Sequence, residues 1–189
     1  LYRIPSDDAG LADVYSVSVL DRSRTVYRQQ GRAINLAYAL HEARFGAPGY
    51  EEARKKRVAV IGGGISGVTL AAALLRLGYT TYVCERAPLL IHLQDGCDSR
   101  WVHPHIYDWP DSGSDNPHSD LPVLAWTAGS ASEVTAQIMR GWDQCVDGCD
   151  GRSRVLLNCD VTLNRNVSEE GRVELDLQCR GGAEDQDLC

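Results

Sequence analysis

The segment Gly62-x-Gly64-x-x-Gly67 constrains this chain more than any other, because of what flanks it. Before it runs Val58-Ala-Val-Ile61, a short apolar stretch rich in β-branched residues, of the kind buried on both faces of a parallel sheet. After it, Ile65 to Leu77 is rich in Ala and Leu and is closed by Gly78, which predicts a helix. Tyr79 to Cys84, dense in Thr, Tyr and Val, predicts a second strand. Strand, helix and strand over about 28 residues make a βαβ unit that the right-handed crossover accepts. Gly62 permits the tight turn, Gly64 lets the backbone approach a pyrophosphate, and Gly67 lets helix and strand pack closely. The helix start offers N–H groups and a partial positive charge to a diphosphate. Glu85 stands 18 residues after Gly67 at the tip of the second strand, where a carboxylate accepts hydrogen bonds from both ribose hydroxyls of an adenosine. A carboxylate there disfavours a 2′-phosphate and hence NADP, although Arg86 next door keeps NADP from being excluded. The rival explanation, a glycine-rich turn in an unrelated α/β sheet, leaves Glu85 without a role.

Arg57-Val-Ala-Val-Ile-Gly-Gly-Gly-Ile-Ser-Gly67 through Val83-Cys-Glu-Arg86 resembles the N-terminal FAD-binding motif of flavoprotein oxidoreductases with a glutathione-reductase-type Rossmann domain. That group includes the amine-oxidase-like and aromatic-hydroxylase-like flavoenzymes. The resemblance is specific over about 30 residues and looser beyond them. It implies an α/β, Rossmann-like FAD/NAD(P)-binding domain with a parallel sheet, an irregular insertion and a β-hairpin. It also implies that Gly62, Gly63, Gly64, Ile65, Ser66 and Gly67 hold the FAD diphosphate and that Glu85 holds the adenosine ribose. The Glu85-Arg86 pair, frequent at this strand end in the group, tilts the cofactor from NAD to FAD, and Arg100 is a further contact implied from the following loop. Such enzymes also carry a second glycine-and-aspartate motif and a separate substrate domain, and neither occurs before Cys189. The chain opens at Leu1 and its single methionine is Met139. The expectation is therefore an incomplete chain, the front part of a longer enzyme, with turnover belonging to the whole. On this reading residues 1–57 are an N-terminal extension with one helix, and 58–189 are the partial FAD/NAD(P)-binding domain with a loop-rich insertion at 88–128.

The remaining signals narrow the function classes. Hydrophobic residues make up 43% and charged residues 24%, the balance of a globular chain. No apolar run reaches the roughly 18–20 residues that span a bilayer, so no membrane partner is expected. The net charge is −7, and the basic cluster Arg54-Lys55-Lys56-Arg57 stands directly before a strand, where it reads as a solvated edge. An acidic chain lacks the counterion-releasing surface that drives nucleic-acid binding, so no nucleic-acid partner is expected. Seven cysteines without a secretory signal predict reduced thiols in a cytoplasmic protein. Cys145, Cys149, Cys159 and Cys179 lack a paired CxxC spacing, so no metal is expected.

Elsewhere, Val14 to Leu20 alternates like a strand, and Arg32 to Phe45 predicts a helix with Ala33, Leu36, Ala37 and Leu40 on one face. Gly49 to Arg57 reads as a linker. Regular structure fades from Pro88 to Leu124, a length that marks a functional loop or an insertion. Ser130-Ala-Ser-Glu133 is a capping-box pattern opening a helix to Trp142, and Val155–Leu163 with Arg172–Cys179 read as the two strands of a hairpin. Trp101, His103, His105, Tyr107, Asp108 and Trp109 either line a flavin or aromatic substrate site or plug the insertion onto the core. The function expected is an FAD-dependent oxidoreductase acting on a small molecule, with no catalytic residue identified. The alternatives are an NAD-binding dehydrogenase or reductase, and a non-catalytic dinucleotide-binding protein.

Overall fold

The computed structural model describes residues 2–4, 14–17, 25–44, 46–167 and 173–179. In chain order the elements are β1 (Tyr2–Ile4), β2 (Val14–Ser16), α1 (Val26–Ala39, running into a π-helical turn at Leu40–Arg44), α2 (Tyr50–Ala53) and β3 (Arg57–Ile61). There follow α3 (Ile65–Arg76), β4 (Thr80–Cys84), β5 (Trp101–Val102), β6 (Gly129–Ser130) and α4 (Ala131–Asp147). The last three are β7 (Ser153–Leu156), β8 (Cys159–Val167) and β9 (Val173–Cys179).

The centre is a parallel sheet in the order β3-β4-β7, so that Val60, Val83 and Val155 lie side by side. This is the Rossmann-like α/β arrangement that the βαβ pattern predicts, and β8 with β9 forms the separate antiparallel hairpin. Helix α3 is buried nearly all round, from Ile65 through Leu75, because it lies between the sheet and the other helices. Its Ala-rich sequence lets those neighbours approach closely. Gly78, at φ +98°, turns the chain out of α3 into β4.

Several expectations need correction in detail. The first helix begins at Val26, six residues earlier than Arg32, because the Thr25 hydroxyl accepts from the Arg28 N–H at 3.1 Å and caps it. Its expected face is buried as predicted, and Phe45 lies outside the described residues. The linker holds the short α2. The expected strand Val14–Leu20 is seen as Val14–Ser16, with 18–20 outside the described residues. Val155–Leu163 is two strands. The backbone breaks at Asn158, with φ +55°, so β7 completes the parallel sheet while β8 starts the hairpin. Strand β3 is not buried on both faces: Val60 is covered by α3, but Ile61 on the opposite face is 55% exposed.

The irregular stretch is tied down by a buried polar link. Gln30 on α1 is fully buried, accepts from Trp126 Nε1 at 2.6 Å and donates to the Leu124 carbonyl at 3.1 Å. The capping box at α4 is formed as predicted, with Ser130 and Glu133 exchanging hydrogen bonds, and the helix continues past Trp142 to Asp147. No helix among the described residues is long and apolar enough to cross a membrane.

Candidate functional site

The glycine turn is built to leave one side open. Gly62 sits at φ +101°, which L side chains rarely adopt, and its N–H donates to the Cys84 carbonyl at 2.8 Å. A Cβ at Gly67 would stand 1.8 Å from the Gly62 carbonyl oxygen, so only glycine lets α3 start this close to the turn. A Cβ at Gly64 would meet nothing within 4 Å. Gly64 is also the N-cap of α3 and supplies no side-chain cap, so the positive end of the helix faces that open side. Ile65 is buried in the core and Ser66 is half-buried at the first turn.

Glu85 closes the other side. Its side chain is buried, at 6% exposure; Oε2 accepts from the Gly63 N–H at 2.6 Å and Oε1 from the Ala87 N–H at 2.8 Å. The Gly63 carbonyl in turn accepts from Ile91 N–H at 2.8 Å, so residues 85–91 clasp the turn. Each carboxylate oxygen has a second lone pair beyond the one these bonds use. Glu85 lines a crevice of about 220 Å³ with Ile61, Gly62, Cys84, Arg86, Cys159, Asp160 and Val161. The crevice opens at the carboxyl ends of β3 and β4, where α/β sheets of this kind place their ligands.

The structure therefore brings Gly62, Glu85 and Arg86 to one crevice, with Gly63, Gly64, Ile65, Ser66 and Gly67 forming the turn and helix start beside it. Arg100 is not among the crevice residues; it is exposed just before β5, and its carbonyl accepts from Ala131 N–H at 2.8 Å. Sequence reasoning missed Cys159, Asp160 and Val161. They reach the crevice because the chain turns at Asn158, and Cys159 N–H then donates to the Glu85 carbonyl at 2.9 Å. An Asn inside an apparent strand was the available signal, since Asn tolerates positive φ.

The aromatic segment does not plug onto the core: Trp101, Tyr107 and Trp109 are exposed, while the buried tryptophans are Trp126 and Trp142. Within that segment His105 Nδ1 lies 3.0 Å from Asp108 Oδ2, and its ring is 5.5 Å from that of Tyr27.

Residues 57–180 match the family described as FAD dependent oxidoreductase (DAO). The chain belongs to this family. The matched stretch begins with the first residue of β3 and takes in the glycine turn, Glu85, the insertion, α4, β7 and the hairpin. FAD dependence is thus the property of the family to which the turn and crevice belong, as the motif resemblance implies. No curated protein and no solved structure matches the chain.

Proposed function

We propose that this chain binds FAD in the crevice between the glycine turn and Glu85, and that it serves as the FAD-binding part of an oxidoreductase acting on a small molecule. The observation that carries this reading is the Glu85 carboxylate, fixed by two backbone N–H groups and lining a crevice beside the uncapped N-terminus of α3. Gly62 to Gly67 would receive the diphosphate, because the Gly64 side of the turn has room for it. The remaining lone pairs of Glu85 would accept from the ribose hydroxyls, and Cys159–Val161 would form the far wall against the adenine. Arg86, exposed at the mouth, adds a positive charge near the adenosine. Arg100 stays in the proposal as a contact from the insertion. When bound, the isoalloxazine supplies two-electron redox chemistry, and the protein supplies binding and orientation. The binding unit is taken as 58–189, with 1–57 as an extension.

The test is ligand-dependent stabilisation of the purified chain. FAD should raise the unfolding temperature in a concentration-dependent way and NAD should not. A shift with NAD but not FAD would move the reading to a nicotinamide enzyme. No shift with either would leave a scaffold without a dinucleotide and overturn the assignment.

A further inference from the structure

At the opposite end of the strands lies an open groove of about 760 Å³, lined among others by Tyr50, Arg76, Arg140, Gln144, Cys145 and Arg152. We propose that this groove binds a small multiply charged anion of the phosphate or carboxylate class through Arg76, Arg140 and Arg152.

Charge is the first argument. The chain carries −7 overall, and residues 58–144 hold only four basic side chains, Arg76, Arg86, Arg100 and Arg140. Two of those four meet Arg152 in this groove, and none of its lining residues is Asp or Glu. The C-termini of α3 and α4 also reach it, through Arg76 and Gly148, each bringing about half a negative charge. Against three guanidinium groups that leaves a net positive charge of about two. Asp143 and Asp147 on α4 are not among the lining residues.

Burial is the second. Arg152 is only 7% exposed, yet among the described residues it has no carboxylate partner. Its guanidinium donates to the carbonyls of Leu75 and Tyr79 at 3.1 and 3.2 Å and to Tyr50 Oη at 2.7 Å. It also stands 5.1 Å from the centre of the Tyr50 ring. Its Nε makes no hydrogen bond. Those carbonyls explain why Arg152 holds the end of α3 to the sheet, but they do not neutralise a buried cation, which is costly to leave unpaired. An anion in the groove would offset that charge, with Arg76 and Arg140 on the solvent side; Arg76 is steadied by a hydrogen bond to the Pro122 carbonyl. Arg76 also acts on Cys145, a groove residue, pulling its thiol's ionisation down against the stronger upward push of burial.

Calorimetric titration of the chain with inorganic phosphate, and separately with citrate, at constant ionic strength is the test. Half-saturation on the order of 1 mM is expected, as suits charge-assisted hydrogen bonds in an open groove. Phosphate binding tighter than citrate assigns a phosphate ligand, and the reverse a carboxylate. Arg140→Gln, at an exposed position, should weaken binding about fivefold while the unfolding temperature stays put, and Arg76→Gln should weaken binding similarly with a small loss of stability from its bond to Pro122. Gly64→Val, which alters the turn at the far end, should leave binding unchanged and so excludes the glycine turn as the anion's site. No saturable heat, or binding lost in Gly64→Val but kept in Arg140→Gln, would overturn the proposal.

Discussion

The Glu85 carboxylate accepts a hydrogen bond of 2.6 Å from the Gly63 N–H, joining residues 22 positions apart across the mouth of the β3-α3-β4 unit. The acid is therefore part of the turn's own architecture as well as a candidate ligand group. With the second bond from Ala87 N–H, it fixes both the bend before α3 and the exit from β4. A ribose placed there would meet a carboxylate already oriented, with little side-chain entropy left to lose.

Replacing that acid should therefore cost stability even without ligand. Glu85→Gln keeps the shape but turns an amide NH2 toward one of two backbone donors, leaving a buried N–H unsatisfied. A loss of about 1–3 kcal/mol is expected, read by urea unfolding of the ligand-free chain. Unchanged stability would mean that the two hydrogen bonds contribute nothing to the turn.

Two glycines of the same turn should respond very unequally. Gly67→Ala would drive a methyl to 1.8 Å from the Gly62 carbonyl and should destabilise the chain by about 3 kcal/mol or more. Gly64→Ala points into open space from an ordinary backbone conformation, φ −76°, and should cost no more than about 1 kcal/mol, the loss of a glycine N-cap. Equal effects in a thermal melt would contradict the close approach of α3 to the turn.

The buried Gln30 holds the insertion to α1. Gln30→Leu would strand both Trp126 Nε1–H and the Leu124 carbonyl, and a loss of about 2–5 kcal/mol is expected. The fluorescence of Trp126 should change in the folded variant, because its indole N–H loses its only protein acceptor among the described residues.

Alkaline stability should depend on Tyr79. Burial, and secondarily the charge of Glu42, raises its ionisation above the ordinary tyrosine value, and its Oη lies 2.8 Å from His41 Nδ1. A raised folded-state value means that the native state holds the proton more tightly than the unfolded chain. Its contribution is then fully present below about pH 10 and lost as pH rises through the higher folded value. Tyr79→Phe should cost about 1 kcal/mol at neutral pH and flatten the fall in stability above about pH 10. A parallel fall in both proteins would remove Tyr79 as its cause.

Much of the fold was legible because local chemistry and tertiary structure agree there. Val58 to Cys84 carries its own strand pattern, glycine turn, Ala-rich helix and closing Gly78, and the structure follows it almost residue by residue. The Ser130–Glu133 capping box is equally local. What was not legible depends on contacts between distant residues. The start of α1 at Val26 rests on the Thr25 cap ahead of a weakly apolar stretch with a buried Gln30, whose partners lie 94 and 96 positions away. The break at Asn158 does not interrupt the period-two pattern, which continues through it, so the crevice wall at Cys159–Val161 is marked in the sequence by the Asn alone. Around the crevice, the glycine turn and Glu85 at the end of β4 could be placed from their spacing and the elements that flank them. That Glu85 would clasp Gly63 could not, since it depends on where residues 85–91 fold back.

The central claim is that a dinucleotide diphosphate rests on the open side of the turn at Gly64. Its most direct test is the FAD dissociation constant of the chain and of Gly64→Val, measured by quenching of flavin fluorescence. A Cβ at position 64 would meet nothing within 4 Å, and an unfolding temperature equal to that of the unaltered chain shows that a loss of binding reports on the ligand's place and not on the fold. We predict saturable FAD binding by the unaltered chain and at least about tenfold weaker binding by the variant, at equal unfolding temperature. Equal dissociation constants for the two proteins would contradict the account.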